Sequence, residues 1–172
     1  SENWLGMVGM HGTYEANMAM HDCDLMINIG ARFDDRVTGN LKLFSPNSKK
    51  IHIDIDASSI NKNVIVDLPI LGDASVALDD ILDSWCKKSK LKNRSNLDSW
   101  WKKISKWKSK DCLKFSQVDQ VIKPQFAIKR LYELTKHMET FITTEVGQHQ
   151  MWAAQFYRFD KPNRWMTSGG LG

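Results

Sequence analysis

The chain has 172 residues, enough for one domain or pieces of two, and its 42 % apolar and 26 % charged composition is that of a globular protein with a real core. No apolar run approaches the roughly 18 residues that would span a bilayer, and the opening SENWLGMVGM lacks the basic and apolar regions of a signal peptide. The net charge of +4 is local: residues 87–110 hold 10 of the 24 basic residues and only one acid, Asp98, so the remainder carries 14 basic against 19 acidic residues. Three cysteines, Cys23, Cys86 and Cys112, share neither a CxxC nor a metal-like spacing. An odd count argues against a disulfide framework, so reduced thiols and a cytoplasmic location are expected.

In chain order, HGTYEANMAMHD (11–22) predicts a helix that starts after a Gly-Met-His-Gly turn. DLMINIG (24–30) is a short apolar run ending in glycine, as in a buried parallel strand. KIHIDID (50–56) predicts a second strand ending in acids, and VIVDLPILGD (64–73) holds a third extended piece. Asp73 is placed to N-cap the helix ASVALDDILDSWC. In the basic stretch, Leu97, Trp100, Trp101, Ile104 and Trp107 recur at helical spacing and predict one packed face with lysines opposite. Lysines interleaved with tryptophans would also suit a nucleic-acid surface, but no nucleic-acid-binding motif accompanies them. After it, KPQFAIKRLYELTKHM predicts a helix with Pro124 in its first turn, TFITTEVG a strand, and RWMTSGGLG a strand entering a glycine-rich loop.

Strands alternating with helices imply an α/β fold with parallel sheets. The charged connection divides the chain into units of 1–88 and 118–172, joined by a basic helical connection over 89–117. Two strands and one or two helices do not complete a doubly wound domain, so the second unit is expected to be truncated, and the first, opening on a turn, to be truncated as well.

Ligands of α/β sheets bind beyond the carboxyl ends of the strands. Those ends fall here at Gly30-Ala31-Arg32, Asp54-Ile55-Asp56, Gly147-Gln148-His149 and Gly169-Gly170. An acid such as Asp54 at a second strand end suits ribose hydroxyls, yet no GxGxxG accompanies it; Asp54 and Asp56 equally suit the cap of a helix around Ser58–Lys62. GARFDDRVTG packs Arg32, Asp34, Asp35 and Arg36 into five residues, either a local ion-pair turn or an arginine held for an anion. For His149 three readings stand: general base, metal ligand, or donor to an anion beside Gln148, Gln150 and the Gly147 backbone. The last fits best, since neither a nucleophile elbow nor a second ligand at helical spacing is present.

Seven collinear blocks, LGMVGMHGTYEAN, GARFDDRVTG, HIDIDASSINKN, LGDA, KPQ, VGQHQMWAAQFY and KPNRWMTSGGLG, span essentially the whole chain. Together they resemble the catalytic subunits of the acetolactate (acetohydroxyacid) synthases, a branch of the thiamine-diphosphate enzymes. The resemblance implies most of a central, FAD-associated domain followed by the opening of a diphosphate-binding domain. It implies a transferase that decarboxylates pyruvate and joins the product to a second 2-keto acid in valine, leucine and isoleucine biosynthesis. Thiamine diphosphate, Mg²⁺ and FAD are the implied cofactors. Pyruvate and 2-ketobutyrate are the implied substrates, and a homodimer or higher oligomer the implied assembly, with scope for a regulatory small subunit. Neither nucleic acid nor membrane is an expected partner.

The same resemblance distributes roles. Met10, His11, Asp35 and Arg36 match positions lining the substrate channel, with Arg36 placed for a keto-acid carboxylate. His11, Gly12, Gly30, Ala31, Arg32, Asp54, Ile55, Gly72 and Asp73 match FAD-binding segments. Val146, Gly147, Gln148, His149 and Gly172 match the thiamine-diphosphate segment. The acid that activates the cofactor and the Mg²⁺ anchor are expected outside this chain, so the fragment alone is expected to be inactive, with no catalytic or metal-binding residue of its own. Another 2-keto-acid carboligase or decarboxylase, and a non-enzymatic nucleotide-binding module, are the alternatives.

Overall fold

A computed structural model describes residues 2–88 and 95–169. The chain divides into two compact units, Val8–Lys110 and a second made of Ser1–Met7 with Asp111–Gly172.

The first unit is built on a three-stranded parallel sheet of β1 (Leu25–Ile29), β2 (Lys49–Asp54) and β3 (Leu68–Leu71), in that order across the sheet. β2 is therefore central, paired with β1 from Leu25↔Lys49 to Ile29↔Ile53 and with β3 from Ile51↔Leu68 to Asp54↔Leu71. Its middle position explains why Lys50, His52, Ile53 and Asp54 are all buried. The ladder runs one residue past the strands on both sides: Gly30 donates to the Ile53 carbonyl (2.9 Å) and Gly72 to that of Asp54 (3.0 Å).

Beside this sheet lies a cluster of Phe33, Phe44 and Val66, with Met20, Met26, Val37 and Val64 packed against it. The Phe33 ring meets Phe44 edge-on at 5.8 Å and His52 at 5.1 Å, tying the loop after β1 to the central strand. Lys50 is buried by an unforeseen arrangement. Its ammonium donates to the carbonyls of Ser45 (2.8 Å) and Ser48 (3.2 Å), closing the turn that leads into β2. A buried ammonium is tolerated only with such partners.

Helix α1 (Tyr14–Asp22) starts where Thr13 accepts the Ala16 amide, and α2 (Asp35–Thr38) is a four-residue turn capped by Asp34. A short 3₁₀ turn, Leu41–Leu43, follows. Helix α3 (Ala74–Lys88) begins at the expected cap: Asp73 Oδ1 accepts the amides of Ser75 (2.8 Å) and Val76 (3.3 Å). Helix α4 (Ser95–Lys108) packs against α1. Ile104 and Trp107 are buried and Trp100 meets Trp107 edge-on at 5.7 Å, as their spacing predicts. Leu97 and Trp101 are not part of that contact, at 51 % and 36 % exposure. Positions 100, 104 and 107 form one stripe along the helix, and 97 and 101 fall to its flank. Lys103 pairs with Asp22 at 3.0 Å, and Lys110 Nζ lies 3.7 Å above the Tyr14 ring, so part of the local basicity is spent on α1. Residues 89–94 of the basic stretch lie outside the described part.

In the second unit, α5 (Pro124–Thr135) opens on Pro124, whose missing N–H would have had no helical partner. Strand β4 (Ile142–Thr144), helix α6 (Gln148–Phe156) and strand β5 (Trp165–Thr167) follow, with β4 and β5 parallel from Ile142↔Trp165 to Thr144↔Thr167. Tyr157 joins the two helices: its ring meets Tyr132 at 5.3 Å and its hydroxyl lies 2.7 Å from Thr135 Oγ1. Phe159 stacks on Trp165 at 5.2 Å, and Arg164 pairs with Glu139 while lying over Phe141. Both units thus carry parallel strands with intervening helices, the α/β class expected. No helix among the described residues is long and apolar enough to cross a membrane.

Replacing Lys50 by Met keeps the apolar stem but removes the ammonium from the Ser48 carbonyl and leaves the Ser45 carbonyl to the Ser48 hydroxyl and amide alone. The full-length protein is expected to lose about 2 kcal/mol of stability in urea unfolding; an unchanged midpoint would show that the ammonium contributes nothing.

Candidate functional site

Parallel pairing brings the carboxyl ends of β1, β2 and β3 to one edge of the sheet. Gly30 has φ +63 at the turn out of β1, and the Asn28 side chain donates to the Ala31 carbonyl at 2.6 Å, fixing the first bend of the following loop. Arg32 makes an exposed contact of 3.5 Å with Asp34, whose other role is to cap α2 through the Arg36 amide (3.0 Å). The ion-pair turn is therefore present for Arg32. Asp35 and Arg36 themselves remain exposed.

At the end of β2, Asp54 and Asp56 behave differently. Asp54 is buried, with Oδ1 accepting the Asp56 amide (2.9 Å) and Oδ2 3.4 Å from His52 Nε2. Asp56 is the capping residue, accepting from the Ser58 amide (2.8 Å), the Ser58 hydroxyl (2.9 Å) and the Ser59 hydroxyl (3.1 Å). What it caps is a hydrogen-bonded turn rather than the helix expected around Ser58–Lys62. Ile55, between the two acids, is exposed, and Gly72-Asp73 is the junction of β3 with α3.

A second group lies at the Gly9–Gly12 turn. The Met10 amide donates to the Arg36 carbonyl at 2.7 Å, so Met10 and Arg36, 26 positions apart, become neighbours. His11 and Gly12 follow on the same turn, closed by the Gly12 amide on the Gly9 carbonyl (3.0 Å). Asn17 was not among the sequence-predicted residues, yet its side chain holds both polar groups of Gly9. Its only sequence signal is an amide in the first turns of a helix next to a glycine-rich turn.

In the other unit, the carboxyl ends of β4 and β5 lie side by side. Thr144 Oγ1 donates to Thr167 Oγ1 (2.7 Å) and accepts from Trp165 Nε1 (3.2 Å). Gln150, one turn into α6, donates to Thr167 Oγ1 (2.8 Å) and to the Ser168 carbonyl (3.1 Å), fastening the start of the helix to the end of β5. Gly147 occupies the N-cap with extended backbone and contributes no side-chain cap. A Cβ there would lie 2.8 Å from His149 Cε1 and 2.9 Å from its Nδ1, so the imidazole occupies the space a side chain would fill. Val146 and Gln148 are exposed at this turn, and Gly172 lies outside the described residues. Helix N-terminal amides without a side-chain cap thus stand next to an exposed imidazole and two strand ends, donors of the kind that an anion accepts from.

Residues 1–81 match the central domain of the thiamine pyrophosphate enzymes, and residues 145–172 match their C-terminal TPP binding domain. The chain belongs to the thiamine pyrophosphate enzymes. Within that family it is 50 % identical to the acetolactate synthase large subunit of Haemophilus influenzae over 171 residues, 99 % of this chain and 30 % of that protein. It is 49 % identical to acetolactate synthase isozyme 3 large subunit of Escherichia coli, over 98 % of this chain and 29 % of that protein. Against acetolactate synthase 1, chloroplastic, of Nicotiana tabacum the figure is 46 %, over 98 % and 25 %. The chain thus spans about 30 % of the length of the relatives it matches. The match to the TPP binding domain begins at Glu145 and so includes the Gly147 turn and α6, where the uncapped amides stand.

Hydrogen bonds, first from the Ser58 hydroxyl and then from the Ser58 amide and the Ser59 hydroxyl, hold the Asp56 carboxyl below its ordinary value of 3.8. A depressed carboxyl pKa adds stability that is complete above 3.8 and is lost as the pH falls through the lower native value. A carboxyl-carbon NMR titration is expected to give Asp56 a midpoint below 3.8; a midpoint at or above it would mean that the Ser58–Ser59 turn is not held in solution.

Proposed function

We propose that this chain is part of an acetolactate synthase catalytic subunit: the whole enzyme decarboxylates pyruvate and joins the resulting two-carbon unit to a second 2-keto acid. The products are 2-acetolactate from pyruvate and 2-aceto-2-hydroxybutyrate from 2-ketobutyrate. The observation that carries this reading is identity near 50 % over 99 % of the chain to an acetolactate synthase large subunit. On the same reading residues 1–88 belong to the central domain, 89–117 are the connection, and 118–172 open the C-terminal domain.

Thiamine diphosphate, when bound, supplies the centre that stabilises the carbanion left by decarboxylation. The chain's own part is to hold and exclude. The amides at the start of α6 receive the diphosphate, Gly147 leaves room for the His149 ring, and His149 donates to a phosphate oxygen. Gln150 keeps that helix start in register with β5 through its two hydrogen bonds. Val146 and Gln148 line the approach, and Gly172 belongs to the following loop.

FAD is assigned to the edge of the three-stranded sheet, at Gly30-Ala31-Arg32, Asp54-Ile55 and Gly72-Asp73, with His11 and Gly12 alongside. Glycines at two strand ends give close backbone approach, and the buried Asp54 offers a carboxylate to hydroxyl donors. Met10, His11, Asp35 and Arg36 receive the keto acid, Arg36 through a charge-assisted bond to its carboxylate. Among the described residues no group of three His, Cys, Asp or Glu side chains is suited to a metal; we assign none of them to Mg²⁺. A cytoplasmic enzyme that assembles at least as a dimer, with scope for a regulatory subunit, completes the proposal.

The test is product analysis. The full-length protein, supplied with pyruvate, thiamine diphosphate, Mg²⁺ and FAD, is expected to form 2-acetolactate; acetaldehyde alone, or no product, would overturn the assignment. His149→Ala is expected to weaken thiamine-diphosphate binding about tenfold, the loss of one charge-assisted or neutral donor to a diphosphate, with activity returning at saturating cofactor. Gly147→Ala should act in the same direction by displacing the imidazole. Lost activity that saturation fails to restore would point instead to a direct chemical role for His149.

A further inference from the structure

We propose that Asn17 is a positioning residue for the keto-acid site, acting through Gly9 on Met10 and Arg36; this rests on the substrate role given to those two residues above. The Asn17 side chain brackets Gly9 from both sides. The Gly9 amide donates to Asn17 Oδ1 at 2.7 Å, and Asn17 Nδ2 donates to the Gly9 carbonyl at 2.9 Å. Of the short side chains, only the primary amide presents a donor and an acceptor at the separation of one residue's N–H and C=O. Aspartate would face the Gly9 carbonyl with a second acceptor, and glutamine would set the amide one methylene too far out.

Gly9 needs this grip because of where it sits. Its φ of +91 lies in the region that side chains rarely adopt, and a Cβ there would stand 2.6 Å from the Arg36 carbonyl and 3.1 Å from Val37 Cα. The absence of a side chain lets the backbone of the turn press onto α2, and the next amide, Met10, then donates to that same Arg36 carbonyl at 2.7 Å. Helix α2 is only four residues long and cannot hold itself. Its position depends on the Asp34 cap, on Val37 packed against the Phe33 cluster, and on this contact with the turn. Asn17, by contrast, stands on α1, a nine-residue helix capped by Thr13 and packed against α4. The connection therefore runs from a well-anchored helix, through a side-chain amide, to a glycine, and from the glycine's neighbour to the residue that carries the guanidinium.

The experiment is a double-variant cycle in the full-length enzyme. Asn17→Ala is expected to raise the KM for pyruvate about tenfold while kcat stays within about threefold, the pattern of lost substrate binding rather than lost chemistry. Arg36→Ala alone should raise KM as well. In the double variant Asn17→Ala should add less than about a factor of two, because its effect passes through Arg36. Amide exchange should show the Met10 N–H losing protection in Asn17→Ala. If Asn17→Ala does not fold, Asn17→Ser, which keeps a shorter acceptor, carries the same comparison. A KM penalty that persists undiminished in the Arg36→Ala background would overturn the positioning role alone. An Arg36→Ala enzyme with unaltered KM would overturn the substrate assignment, and the inference with it.

Discussion

Everything in the first unit hangs on the parallel pairing of β2 with a strand on either side. A parallel ladder cannot be closed by a tight turn, so each connection must cross the sheet and return, and all three strands then end at the same edge. That constraint gathers Gly30, Asp54 and Gly72, which are far apart in the chain, along one line. It also makes β2 the most enclosed strand, leaving Asp54 buried just where the ladder runs out. The second unit repeats the device on a smaller scale, with β4 and β5 delivering the Gly147 turn and Ser168 to one place.

The two strand edges solve different problems. At the sheet of the first unit the loop backbones are held by side chains nearby in sequence: Asn28 on Ala31, Asp34 on Arg36, Asp56 on Ser58, Asp73 on Ser75. Each acts within the few residues after a strand, and the loop after β1 is held in addition from afar, by Asn63 Nδ2 on the Phe33 carbonyl (2.9 Å) and the Met10 amide on the Arg36 carbonyl (2.7 Å). At the Gly147 turn the fastening is long-range, Gln150 reaching across to Thr167 and Ser168. The start of α6 is thereby left with its own amides unclaimed by any side-chain cap.

Much of this was legible because the signals are local. Asp73 before an apolar repeat, Pro124 at a helix start, and short β-branched or apolar runs ending in glycine each mark an element whatever lies elsewhere. What escaped depends on partners remote in sequence. Leu97 and Trp101 share a helical spacing with Trp100, Ile104 and Trp107, but α1 is too narrow to cover both flanks, and only its position selects the stripe that is buried. Asp54 and Asp56 look interchangeable in HIDID, yet the strand ends between them, so one faces the sheet and the other the turn. The site residues were legible mainly as blocks resembling a family; Asn17 left only the faint mark of an amide beside a glycine-rich turn, because its partner is a backbone eight residues away.

Lys50 gives the core of the first unit a chemical signature. Its amine is sheathed on the protein side by two carbonyls, Ser45 and Ser48, while Lys102 and Lys106 of α4 are exposed and Lys103 lies against Trp107. Acylating reagents need the free amine and room to approach it. Lys102 and Lys106 of α4, both exposed, give such reagents room while the sheet is intact, whereas Lys50 is reached only after the turn at Ser45–Ser48 has opened. A lysine that reads in the sequence as one more surface charge is thus a built-in reporter, silent as long as the centre of the sheet holds.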